Sequence, residues 1–379
     1  MSTVLVLGGG VGGLVAAAEV RRRLGREHRV VLLDREGTHA FQPSYVWVLT
    51  GRREPRRIVR DLSFLTRRGI DVVRAEVQGI DPARREVRTT AGAFAGDFLV
   101  VSLGADLDPG AVSGLAEAGE TFYTLPGAQR LHRALQEFPG GRVVVLIAGV
   151  PFKCPAAPYE AALLMESFLR RRGVRAELDI YTPEKQPMPV AGPAVGGALR
   201  DLIERRGIRY HPEHQVREVR VSDRWLVFEN GVEAPFDLLA HVPPHRPARV
   251  AREAGLGDGG WIPVDPGTLA TRYPGVFAIG DAVAIKLPSG AMLPKAGVFA
   301  HAEAKVVAAN IAASIAGRTG DRRFDGHGQC WVESGDGRAA FGSGDFYASP
   351  APQVVLRPPS RFRHWTKVAF EKSWLWRWS

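Results

Sequence analysis

Cysteine is nearly missing from this chain: Cys154 and Cys330 are the only two in 379 residues. They stand 176 positions apart (330 minus 154), which excludes a disulfide scaffold as the basis of the fold. The C-x-x-C-H attachment motif of a c-type haem is absent, as are the Cys and His spacings of structural zinc, so no metal site is expected. No run of 18 or more apolar residues is free of charge, which argues against a membrane-spanning helix. The opening stretch MSTVLVLGGG passes directly into a strand and a glycine turn, leaving no room for a secretion signal, and a cytoplasmic location is expected. Low-complexity tracts are also absent, and with 45% hydrophobic and 24% charged residues the chain is globular, neither disordered nor fibrous. Its length predicts two or three domains. Lys plus Arg total 50 against 40 Asp plus Glu, a formal charge of +10 carried almost entirely by arginine. That balance suits nucleic acid, an anionic membrane surface or a small anionic substrate, and says nothing of fold.

The apolar run Val4–Leu7 leads into Gly8, Gly9, Gly10, Val11, Gly12 and Gly13, followed by an alanine-rich helical stretch. This is G-x-G-x-x-G in a strand, turn and helix context. Gly8 permits the tight turn, Gly10 lets the backbone approach a pyrophosphate, and Gly13 lets the helix pack close to the strand. A second apolar strand, 30–33, ends in Asp34, 21 residues after Gly13 (34 minus 13), where an acid binds an adenosine ribose. Two further strands end in glycine turns: Asp97 to Gly104 (DFLVVSLG) and Val276 to Asp281 (VFAIGD).

A second fingerprint is missing. The strand 142–147 is followed by Ala148, Gly149, Val150, Pro151, Phe152, Lys153, Cys154, Pro155, Ala156, Ala157 and Pro158, and then by an apolar helix expected from about Ala161. One glycine remains, and three prolines remove N–H donors that would cradle a pyrophosphate. NAD(P)H binding by this lobe is therefore not expected. The loop instead sets Cys154 beside Lys153 and near a helix start, both of which favour a thiolate.

On these motifs the chain resembles the two-dinucleotide-domain flavoproteins related to glutathione reductase over about its first 315 residues. Ser102, Leu103 and Gly104 depart mildly from the usual Ala-Thr-Gly of that superfamily. The segment PFKCPAAPYEAA is similar to the active-site loop of the sulfide:quinone oxidoreductases and the flavoprotein subunit of flavocytochrome c sulfide dehydrogenase. The context GHGQCWVE around Cys330, Phe41-Gln42-Pro43, and Pro294 to Phe299 (PKAGVF) extend that similarity over essentially the whole chain. The resemblance implies an α/β fold of two Rossmann-like lobes: an FAD lobe from 1–110 and 235–315, and a second lobe from 111–234 that is degenerate for NAD(P). A C-terminal region, 316–379, would carry Cys330 and a membrane-facing tail. It implies non-covalent FAD, because no further cysteine exists to attach the flavin, held by Gly8, Gly10, Gly12, Gly13, Asp34, Arg35, Pro43, Val77, Ser102, Gly104, Gly280, Asp281, Lys295 and Gly297. The helix from about Ala296 to Ile315 would aim its N-terminus at the flavin. It further implies that Cys154 and Cys330 form a redox disulfide that takes hydrosulfide, that Lys295 balances charge developing on the flavin, and that a membrane quinone takes the electrons.

From Arg357 to Ser379 six basic residues (Arg357, Arg361, Arg363, Lys367, Lys372, Arg377) face one acid, Glu371, and four of the eight tryptophans lie here. Phe362, Trp365, Val368, Ala369, Leu375 and Trp376 form an apolar stripe interrupted by Lys372, the pattern of an interfacial helix on anionic lipid. A peripheral membrane location on the cytoplasmic side follows as the expectation. The same stripe would also suit packing on the protein itself or a homo-oligomer contact, and a nucleic-acid role lacks any accompanying motif. His211, His214, His241, His245, His301 and His327 are each expected to be satisfied structural residues, although a general base could be among them. The resemblance also leaves room for a sulfide dehydrogenase subunit delivering electrons to a cytochrome and, against the missing second fingerprint, for a type II NADH dehydrogenase; a basic protein whose flavin is structural is the alternative of a different class.

Overall fold

The computed structural model describes residues 1–257 and 260–379. Five parallel strands form the first sheet, in the spatial order Val276–Ala278, Phe98–Val101, Thr3–Leu7, Arg29–Asp34 and Asp71–Arg74. Val4 to Leu7 are buried on both faces, which is why the sequence reads as a continuous apolar run and not an alternating one. Helix α1 (Val11–Arg23) crosses back over this sheet with Leu14, Val15, Ala16 and Ala17 buried.

The second sheet repeats the plan with strands Glu120–Thr121, Leu238–Val242, Gly141–Ile147, Ala176–Tyr181 and Arg209–His211, again all parallel. Leu238–Val242 was expected in the FAD lobe. It pairs instead with Gly141–Ile147, Val145 facing Ala240, so the second lobe extends past the expected boundary at 234. Each lobe carries one three-stranded antiparallel meander, Val77–Asp81 with its two partners in the first and Val216–Arg220 with its two in the second. Helix α2 (Ala157–Arg171) starts four residues before the expected Ala161, because Pro158 sits in the first turn, where its missing N–H costs nothing.

Helix α3 (Gly297–Ile315) returns to the first lobe and packs against α1. By length and composition α3 could cross a membrane, a test that a core helix also passes. It is a core helix of this lobe: Glu303 is buried in it and accepts the Gly280 N–H at 2.6 Å. Strands His327–Glu333, Ala339–Asp345 and Gln353–Ser360 then make an antiparallel sheet, and helix α4 (Arg361–Arg377) closes the chain, capped by Ser360 Oγ on the Arg363 N–H.

Candidate active site

The fingerprint loop is built for close approach. Gly8 has φ +94, and a Cβ there would stand 2.6 Å from the Ser102 carbonyl oxygen; a Cβ on Gly13 would stand 1.8 Å from the Gly8 oxygen. Around Gly10, at the start of α1, a Cβ would meet nothing within 4 Å, and the same holds at Gly104, which has φ +70. The helix start thus opens onto space fit for a pyrophosphate. Asp34 receives the N–H groups of Gly9 (2.7 Å) and Gly37 (2.8 Å), which fixes its carboxylate beside the same opening. Ser102 Oγ donates to the Leu7 oxygen at 2.7 Å, locking the two strand ends together. Gly12 packs on Ile279, Gly280 on Ala300 and Gly297 on Val11, so these three glycines let α1, α3 and the Gly280–Ala282 turn converge. Val77 begins the meander two residues after Ala75, whose N–H donates to the Asp34 backbone oxygen. Arg35 turns outward to pair with Glu36, and Pro43 is exposed; neither is drawn toward the glycine cradle by a contact in the structure. The cradle fits FAD, the cofactor of this fold, and the first lobe supplies the groups that would meet its phosphates and ribose.

Two distant segments meet at the cysteines. Cys154 has φ +51, an uncommon left-handed conformation for a residue other than glycine, and its N–H donates to the Lys295 oxygen at 2.7 Å. The loop of the second lobe is thereby tied to the segment that enters α3. Cys330 lies mid-strand in His327–Glu333, with its Sγ directed to the Trp331 oxygen at 3.3 Å. Glu160, in the first turns of α2, accepts the Glu333 N–H at 2.8 Å, so the helix that follows Cys154 holds the strand that carries Cys330. Both thiols are half-buried and free.

The expected acidity of Cys154 is not what the structure gives. Burial pushes its thiol well up, and the nearby Cys330 and Glu160 push the same way, outweighing the cation of Lys367. Burial likewise pushes Cys330 up to about 12, with Glu160 adding to the rise and Lys367 opposing it. Lys153 and the helix start were visible in the sequence; the depth of the loop was not.

Lys295 is buried, and burial lowers it to about 8 against the pull of Asp281 and Glu303. Its Nζ donates to the Asp281 and Val283 oxygens, each at 2.9 Å, and lies 3.6 Å from the Trp261 ring centre. Among the described residues the ammonium thus gives two of its three N–H donors to carbonyls and turns toward the Trp261 face. Burial raises Asp281, while Lys153 and Lys295 counteract it.

Lys367 was expected to be one of the lipid-facing cations. It is buried instead, paired with Glu160 and 5.0 Å from the Trp47 ring centre. The apolar stripe is divided: Val368 and Leu375 pack inward, whereas Phe362, Trp365 and Trp376 are exposed at 76%, 64% and 81%. Glu371 is bound by Ser44 (2.5 Å) and Arg53, and Trp374 Nε1 donates to His39 Nε2 at 3.1 Å. His39 Nδ1 in turn reaches the Gly9 oxygen at 3.0 Å, linking α4 to the fingerprint loop. The pairing of Glu160 with Lys367 had no signal in the sequence beyond two charges 207 residues apart. Among the described residues no cluster of metal-ligating side chains occurs.

Residues 2–304 match the family model described as pyridine nucleotide-disulphide oxidoreductase. The chain is 27% identical over 361 residues to the mitochondrial sulfide:quinone oxidoreductase of Mus musculus, an alignment spanning 92% of this chain and 79% of the relative. It is 26% identical over 402 residues to the sulfide-quinone reductase of Aquifex aeolicus, covering 99% and 90%. The X-ray structure of the Aquifex aeolicus sulfide:quinone oxidoreductase superposes with a TM-score of 0.89 over 100% of this chain and 91% of that one. A glycine cradle for a dinucleotide, two converging cysteine segments and these likenesses agree: the chain belongs to the pyridine nucleotide-disulphide oxidoreductase family.

Proposed function

We propose that this protein oxidises sulfide at a redox disulfide between Cys154 and Cys330 and passes the electrons through non-covalently bound FAD to a membrane quinone. One observation carries the reading: a second Rossmann-like lobe that has replaced its phosphate-binding glycines with a proline-rich loop presents a cysteine there, and Glu160 joins that loop's helix to the strand of the second cysteine. The similarity to sulfide:quinone oxidoreductases from mouse and Aquifex aeolicus supports it.

In this reading hydrosulfide attacks one sulfur of the disulfide. A bond forms from the substrate sulfur to that cysteine, the cysteine–cysteine bond breaks, and the other cysteine leaves as a thiolate, with the S–H retained on the new persulfide. Burial disfavours that thiolate, and the Lys367 cation, held in place by Glu160, is the charge that supports it at both cysteines. FAD, when bound, supplies the acceptance of two electrons from the thiolate and their delivery to the quinone. Gly8, Gly10, Gly12, Gly13, Asp34, Ser102, Gly104, Gly280, Asp281 and Gly297 would hold it, and the positive charge of Lys295 would balance charge developing on its ring. The exposed aromatic face of α4, with its basic flanks, rests on anionic lipid, where quinone is dissolved.

Cys154→Ser and Cys330→Ser are each expected to retain FAD and to lose sulfide-driven flavin reduction by at least about a hundredfold. Turnover of either variant at the wild-type rate removes the disulfide mechanism. Equal or faster reduction by NADH would instead favour a type II NADH dehydrogenase.

A further inference from the structure

His245 ends the turn Pro243-Pro244-His245, which follows the strand Leu238–Val242. That strand neighbours Gly141–Ile147, the strand leading into the Cys154 loop, so both turns lie at the same edge of the second sheet, the carboxyl edge where such sheets bind ligands. They pack together: the Ala148 N–H donates to the Val242 oxygen at 2.9 Å, and a Cβ on Gly149 would lie 3.6 Å from Pro244. His245 itself is 8% exposed.

Its Nδ1 lies 2.8 Å from the Pro243 oxygen. A carbonyl can only accept, so Nδ1 carries the proton and Nε2 is left as a lone pair. That Nε2 is buried and has no hydrogen-bond partner among the described residues. The ring meets Tyr123 edge-on at 5.4 Å, and the Tyr123 hydroxyl donates to the Cys154 oxygen at 3.3 Å. The charged groups that face it are Lys153, on the Cys154 loop, and Lys295, ahead of α3. A structural histidine looks different: His39 uses both nitrogens, Nδ1 on Gly9 and Nε2 on Trp374. Among the described residues two other histidines have a buried ring nitrogen without a partner, His241 and His301, but their neighbours are Gly119 and Trp374, not the cysteine loop.

A buried acceptor without a partner keeps its desolvation cost, and a ligand that donates to it removes that cost. We propose that His245 Nε2 accepts a hydrogen bond from the S–H of the sulfide that approaches the disulfide, and keeps that bond in the persulfide product. The inference rests on the proposed sulfide chemistry. No proton needs to move: the S–H of hydrosulfide is retained when its sulfur bonds to a cysteine and the other cysteine leaves. Burial lowers the imidazole to about 4, and Lys153 and Lys295 add to the effect, so the lone pair stays available at neutral pH.

The test compares two amide variants, His245→Asn and His245→Gln, by anaerobic stopped-flow reduction with sodium sulfide. The pair separates the two ring nitrogens. In His245→Asn the amide keeps the Pro243 contact but leaves no acceptor at the Nε2 position; in His245→Gln the longer side chain reaches that position. His245→Asn should lower the second-order rate of flavin reduction about tenfold, with His245→Gln within about threefold of wild type and reoxidation by a short-chain quinone unchanged in both. Equal rates for the two variants overturn the inference while leaving the disulfide reading intact. A wild-type protein that sulfide does not reduce overturns both.

Discussion

A methyl group at Gly13 would have to share space with the Gly8 oxygen, 1.8 Å away, and with Ser102 Oγ, 2.5 Å away. Backbone cannot yield by that much without moving the strand end or α1, so Gly13→Ala is expected to emerge from purification with less than about a tenth of the wild-type flavin. The flavin-to-protein absorbance ratio reads this directly, and full FAD content would show that the loop is not the cradle. Glu184 offers a second test at this scale. Burial raises its carboxyl to about 7, against the hydrogen bonds of Tyr159 and Thr182. Between the ordinary value of 4.5 and about 7 the folded chain therefore binds a proton that the unfolded chain has released, and stability falls as pH rises. Glu184→Gln removes that slope, so its urea midpoint relative to wild type should rise between about pH 5 and about pH 8; an unchanged difference would contradict the assignment. At this scale the glycine turn and the contact of Asp34 with it were legible in the sequence, because turn geometry and spacing are local. Thiol acidity was misread because the depth of a loop is set by everything packed over it, and His245 carried no signal beyond being a histidine.

Helix α4 shows what periodicity alone can and cannot decide. Its apolar residues cover more than one face, and the sequence does not say which face meets protein. The structure answers with polar anchors: Lys367 on Glu160, Glu371 on Ser44 and Arg53, and Trp374 on His39. Phe362, Trp365 and Trp376 remain outside. Two sets of variants separate the faces. Trp374→Ala, which empties a buried site and leaves the His39 acceptor unpaired, should destabilise the protein by about 3–5 kcal/mol, read as a lower urea midpoint. The triple variant Phe362→Ser, Trp365→Ser and Trp376→Ser should leave that midpoint within about 0.5 kcal/mol of wild type yet abolish cosedimentation with vesicles containing phosphatidylserine. Retained cosedimentation would contradict a lipid role for the exposed face. Removal of the whole tail cannot make this distinction, since it also strips the buried anchors.

Across the whole molecule, the double βαβ plan was legible because each lobe declares itself by an apolar strand, a turn and a helix. The boundary at 234 was not, since Leu238–Val242 is as apolar as a strand of either lobe and only pairing with Gly141–Ile147 assigns it. Convergence of Cys154 and Cys330 is likewise a property of the assembly, produced by Lys295 gripping one loop and Glu160 holding the other strand. The central claim is that electrons enter at these cysteines and not from a nucleotide in the second lobe. Anaerobic titration of the oxidised protein with sulfide, and separately with NADH, followed at the flavin absorbance band, tests it most directly. The account predicts bleaching by sulfide and none by NADH; bleaching by NADH alone would mean that the proline-rich loop still serves a nucleotide and would contradict it.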